Sequence, residues 1–70
     1  MKPTEYRSIL ARLGLTQSWV GETLARDSSR GRKWGSGNAP ISKPIAAILR
    51  LMDRGKITPD DVTDAAKDGK

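Results

Sequence analysis

Cysteine, histidine and phenylalanine are absent, and the aromatic residues amount to two tryptophans and one tyrosine. Without cysteine there is no disulfide staple, a usage that fits a reducing cytoplasm. Without cysteine and histidine the usual zinc-ligand sets and the Ser-His or Cys-His catalytic pairs are excluded. No apolar run approaches the ~20 residues that a membrane-crossing helix needs, and no signal-peptide core appears. Export is therefore not expected, and a cytoplasmic location is. No run alternates apolar and polar residues as a half-buried strand would, and no internal repeat is present. Seventy residues make one small domain, residues 1–70. A chain of this size buries only about 60% of its unfolded surface, so oligomerisation is a common remedy.

What is plentiful is positive charge. Lys and Arg number 13 against 8 Asp and Glu, a net +5. The balance is uneven: residues 1–50 hold nine cations and three carboxylates, residues 51–70 four and five, giving +6 and −1. A basic body suggests one surface that faces a polyanion, either nucleic acid or an anionic membrane. The membrane reading is the weaker, because the cations spread over several helices and do not line one amphipathic helix.

In three stretches the apolar residues repeat with helical spacing. Tyr6, Ile9, Leu10 and Leu13 follow an i, i+3, i+4, i+7 pattern, which predicts a first helix over residues 4–13 with Arg7 and Arg12 on its outer side. Gly14 is its stop, with Leu15 folding back. Thr16 is an N-cap for a second helix over 16–25, in which Val20 and Leu24 share a face beside Trp19 and Thr23. Trp19 is expected to line the core. A glycine inside a helix costs about 1 kcal/mol, so Gly21 implies a close approach by another helix. Asp27 offers a second N-cap, and only Arg26 separates the two helical patterns, so the helices must meet at a large angle.

The third helix, 28–35, has Trp34 as its only large apolar side chain, and Ser28, Ser29, Arg30, Arg32 and Lys33 are polar or basic. That is the composition groove reading requires, with donors for phosphates and for purine edges. Gly35, Gly37, Asn38 and Pro40 mark a loop over 35–42. Ser36, Asn38 and Lys43 are candidate donors to a sugar-phosphate backbone. A fourth helix is predicted over 44–53, with Pro44 at its first position, Lys43 at the N-cap, and an apolar face of Ile45, Ile48, Leu49 and Met52, which Ile41 joins from the loop. Leu51 falls off that face. A last helix over 57–67 starts at Thr58 and Pro59, with Asp60 and Asp61 in its first turn and Ile57 and Val62 at the spacing of a hydrophobic staple. Beyond Val62 it has little to bury and is expected to fray.

Asp60, Asp61 and Asp64 read as a capped, solvated helix start and not as a carboxylate site. GRKWGSG lacks the spacing of a phosphate-binding loop and has no strand before it. No catalytic residue, metal site, cofactor or small-molecule ligand is expected, and the chain is not read as an enzyme. The fold class is all-α, a compact bundle of about five short helices.

The segment LTQSWVGETLARDSSRGRKWGSG resembles the helix-turn-helix of the phage repressor and Cro-type (XRE-like) regulators. Gln17, Gly21, Leu24, Asp27, Trp34 and Gly37 fit that family's register, and with its flanking helices the resemblance spans residues 4–53. Two positions depart from it. Arg26 stands where the family has an apolar turn residue and Gly31 where it has Val or Ile, and both are expected to weaken packing between the two helices. The resemblance implies a lambda-repressor-like fold and sequence-specific binding of double-stranded DNA. Ser28, Ser29, Arg32 and Lys33 would read bases; Gln17 and Arg30 would meet phosphates, with Arg30 and Arg32 able to serve either way. It also implies a homodimer on an inverted-repeat operator, built from helix four or five with Leu51 and Val62 as candidates. The setting would be a small repressor in a bacterial or phage-infected cell, autoregulating a phage or mobile-element operon, including anti-CRISPR-associated or antitoxin operons. The alternatives are an architectural or accessory DNA-binding protein of recombination or packaging, and a protein-binding adaptor.

Overall fold

The computed structural model describes residues 1–68. Five helices follow one another: α1 (Pro3–Leu13), α2 (Gln17–Ala25), α3 (Ser28–Ser36), α4 (Lys43–Asp53) and α5 (Pro59–Asp68). The described residues contain no strand, and none of their helices is long and apolar enough to cross a membrane.

Each helix end has a chemical cause. α1 begins on an extended Lys2 with Pro3 in its first turn and ends on Gly14 at φ 70°, where the Leu15 N–H donates to the Leu10 carbonyl at 2.9 Å. The Thr16 hydroxyl accepts from the Trp19 N–H at 3.0 Å and so caps α2. α4 differs from expectation at its start. Ser42, not Lys43, is the N-cap, because its carbonyl already accepts the first helical bond, from Ala46 N–H at 3.0 Å; Lys43 is helical. At α5 a reciprocal capping box forms: Asp61 N–H donates to Thr58 Oγ1 at 3.1 Å and Thr58 N–H to Asp61 Oδ2 at 2.9 Å. The Asp61 carboxylate thus belongs to helix initiation.

Tyr6, Ile9, Leu10, Val20, Trp34, Leu49, Met52 and Val62 form one core, and Trp19, Leu24, Ile45, Ile48 and Ile57 pack against it partly buried. The Tyr6 and Trp34 rings meet edge to face, with centroids 6.3 Å apart and planes at 81°. Val62 is 7% exposed and sits in this core. Val62, an interface candidate by sequence, thus serves the core through its staple with Ile57, and it also lines a cleft with Ile48, Ile57 and Ala65. Two ion pairs, both solvent-exposed, join α1 to α4. Arg12 Nε and Nη2 donate to Asp53 Oδ1 and Oδ2, both at 2.9 Å, and Arg50 Nε donates to Glu5 Oε2 at 3.3 Å.

The α2–α3 corner turns on two residues. Arg26 closes α2 in the left-handed region at φ 54°, and Asp27 opens α3. The Asp27 N–H donates back to the Gly21 carbonyl at 3.0 Å. At the crossing the two helices touch backbone to backbone. A Cβ on Gly21 would stand 2.6 Å from the Gly31 nitrogen, and a Cβ on Gly31 would overlap the Gln17 carbonyl oxygen. The expectation that Gly31 weakens this packing is thereby corrected. Without a side chain there, α3 settles directly onto the backbone of α2, closer than Val or Ile would allow. Gly35, the expected last residue of the third helix, lies within α3, which runs one residue further, and it is buried beneath the Gln17 side chain.

Candidate nucleic-acid interface

α3 divides cleanly by the 3.6-residue period. Gly31, Trp34 and Gly35 are buried on one side. Opposite them stand Ser29, Lys33 and Ser36, with Arg32 beside this row and Arg30 on the flank. Arg30, Arg32, Lys33 and Ser36 are exposed; Ser28 and Ser29 are half-buried. Trp34 anchors the helix inward, so its polar side chains have nowhere to point but outward.

Local hydrogen bonds order several of these groups. The Asp27 carboxylate accepts from the Ser29 N–H at 3.0 Å and from Ser29 Oγ at 2.6 Å. The Ser29 hydroxyl, and after it the backbone N–H groups of Ser29 and Arg30, hold the Asp27 carboxyl below the usual carboxylate range. Ser29 Oγ therefore has its proton engaged and presents acceptor lone pairs. Arg32 Nη1 donates to Ser18 Oγ at 3.1 Å, tying α3 to the first turn of α2. Ser36 Oγ donates to the Lys33 carbonyl at 3.2 Å. The Lys33 ammonium is left exposed, with no ion pair among the described residues.

The Gln17 side chain is half-buried over Gly35: a Cβ at Gly35 would stand 2.5–2.6 Å from its amide atoms. The start of α2 and the last turn of α3 thus share one surface. Asn38 is exposed just past α3, its N–H donating to the Lys33 carbonyl at 3.0 Å. Lys43 lies apart from these residues in sequence and element, as the first residue of α4, and is exposed. Among the described residues Leu51 is the exposed large hydrophobic side chain, at 38%. Three residues before it, Ile48 helps line an open, largely apolar cleft of about 220 Å³, together with Ile57, Asp61, Val62 and Ala65.

Two α1 residues that hold α3 escape a reading by periodicity. The buried Tyr6 hydroxyl donates to the Gly31 carbonyl at 2.8 Å, and burial pushes its pKa up to about 12. Arg7 Nη1 donates to the Gly35 carbonyl. The apolar pattern of α1 marks Tyr6 as core, but no spacing signals that its hydroxyl reaches 25 residues ahead. Comparison with known proteins finds no matching family model, no significantly similar curated protein and no significantly similar solved structure.

Proposed function

We propose that the chain is a sequence-specific, double-stranded-DNA-binding transcriptional regulator, a small dimeric repressor of lambda-repressor-like architecture in which α2 and α3 are the helix-turn-helix. The observation that carries the reading is the outward face of α3. It is polar and basic along its whole length, while Trp34 and two glycines fix the opposite face to the body. A helix held in this way fits the B-DNA major groove, about 12 Å wide. Lys33 and Arg32 supply donors for guanine edges, and Ser28 and Ser29 lie one turn earlier. Gln17, Arg30, Ser36, Asn38 and Lys43 would meet the phosphates. Equivalent half-sites in an inverted repeat would lie about one helical turn apart.

The test is selection of duplexes from a random library, followed by titration of the winner and a scrambled duplex at two salt concentrations. A preference of about 10³ or more for the winner supports the reading, as does an inverted repeat in its sequence. Equal, salt-sensitive binding to both would replace it with an architectural DNA-binding role. Absence of binding would remove DNA as the partner.

A further inference from the structure

α1 has two flanks, and they are treated differently. Glu5 and Arg12 lie on the flank toward α4, where each is paired with a residue of opposite charge, Arg50 and Asp53. Pro3 and Arg7 lie on the other flank, toward the end of α3. Pro3 Cγ stands 3.5 Å from where a Gly37 Cβ would be, and Arg7 grips the Gly35 carbonyl. That carbonyl is one of the last four of α3, which have no partner within the helix. Its acceptance satisfies the helix end but does not neutralise the guanidinium. Among the described residues Arg7 makes no ion pair, and it is exposed. A guanidinium carries five N–H donors, and the bond to Gly35 uses one. The charge therefore stands at the last turn of α3, beside Ser36 and Asn38 in the chain segment it braces.

We propose that Arg7 is a phosphate-binding residue of the DNA interface, one that joins the end of α3 to the nucleic-acid backbone through the same guanidinium. The proposal rests on the DNA-binding reading above and extends its surface from α2–α3 to the first turns of α1. Arginine suits this double task because its donors are fixed in a planar fork that can bridge two acceptors. The charge stands at the end of α3, the helix proposed to read bases. Arg7 thus couples the pose of the reading helix to the position of the backbone.

The test compares wild type with Arg7→Gln, Arg7→Lys and the charge-matched control Arg54→Gln, at the far cap of α4, on the selected duplex. The measured quantity is the slope of log affinity against log salt. A glutamine amide ends about two bonds short of the arginine Nη1 that holds the Gly35 carbonyl, so Arg7→Gln removes bond and charge together; loss of the bond alone lowers affinity without moving the slope, which counts neutralised phosphates. The expected result is a slope shallower by about 1 in Arg7→Gln, with wild-type slopes in Arg7→Lys and Arg54→Gln. An unchanged slope in Arg7→Gln, or an equal change in Arg54→Gln, overturns the proposal and leaves the DNA-binding reading intact. Failure of the wild type to bind any duplex removes both. Should Arg7→Gln not fold, Arg7→Met, which keeps the aliphatic stem without the charge, takes its place in the same slope measurement with the same outcomes.

Discussion

Gly31 sets the geometry of the α2–α3 corner more than any other side chain in it, by having none. A methyl group there would overlap the Gln17 carbonyl oxygen, which is held in the first turn of α2 and cannot rotate away. Overpacking of this kind costs about 1–3 kcal/mol and more where backbone must move. Gly31→Ala is expected at or above the top of that range, a large share of the roughly 4–10 kcal/mol available to a domain this small. Urea denaturation checks it: the midpoint should fall with the slope of the transition unchanged. Tyr6 gives a second residue-scale expectation. Its pKa is raised from about 10 to about 12 by burial, so the folded state favours the neutral phenol. That contribution is complete below pH 10 and is lost as pH rises through the window 10 to 12. Tyr6→Phe should cost about 0.5–1.5 kcal/mol near neutral pH, through the lost bond to Gly31. The gap between the two proteins should then close and reverse as the pH climbs from 10 to 12, because a two-unit shift, at about 1.4 kcal/mol per unit, outweighs the lost bond. Lysine titration occurs in both proteins and drops out of the comparison. A gap that stays constant across that window would mean that the phenol is not protected by the fold.

At the scale of elements, apolar spacing announces α1, α2 and α4, caps and turn residues mark α3 and α5, and most ends fall within a residue or two. Thr16, Asp27 and Thr58 cap where hydroxyl or carboxylate chemistry says they should, since capping is local and needs no knowledge of the partner helix. What stays hidden is interhelical. Gly31 reads as a defect in isolation and becomes a requirement only once Gln17 lies across it. Gly35 reads as the shared end of helix and loop, and its burial becomes apparent only once the Gln17 amide covers it. Val62 pairs with Ile57 already in the sequence, but that Ile48 of α4 joins them is seen only in the folded bundle. The outward face of α3, by contrast, is legible in advance, because a helix with one large apolar residue can bury only one side. The prediction that belongs to this element concerns Lys33, near the centre of that face and free of ion pairs among the described residues. If Lys33 reads a base, Lys33→Ala should cost about 1–3 kcal/mol on the selected duplex and relax the preference at one position. Equal losses on selected and scrambled DNA would reassign Lys33 to the phosphates.

The whole molecule is polar in its charge and uneven in its apolar surface. The +6 of residues 1–50 includes the cations of α3, whereas α5 opens with Asp60 and Asp61. If the partner is DNA, the excess positive charge of residues 1–50 would speed encounter at low salt. The apolar exception is Leu51, exposed on α4 about one turn after Ile48, which lines a cleft with Ile57, Val62 and Ala65. In a twofold dimer the same patch serves on both copies, so Leu51 of each would meet the cleft of the other. The body measures 30 × 24 × 20 Å. Two copies in contact can therefore hold equivalent helices at the roughly 34–36 Å that successive half-sites demand. Leu51→Glu tests this arrangement as a whole. A surface substitution of this kind should leave folding stability within about 0.5 kcal/mol, yet across the twofold it sets a carboxylate against the cleft that Asp61 already borders. Light scattering should report a wild-type mass near twice 7.6 kDa at high micromolar concentration and a single chain for the variant. Binding to the full inverted repeat should fall in parallel, while binding to an isolated half-site stays as it was. A wild type that scatters as a monomer at that concentration removes the dimer. A variant that remains dimeric moves the interface off α4, because no other change to that face would be as disruptive as a buried, unpaired carboxylate.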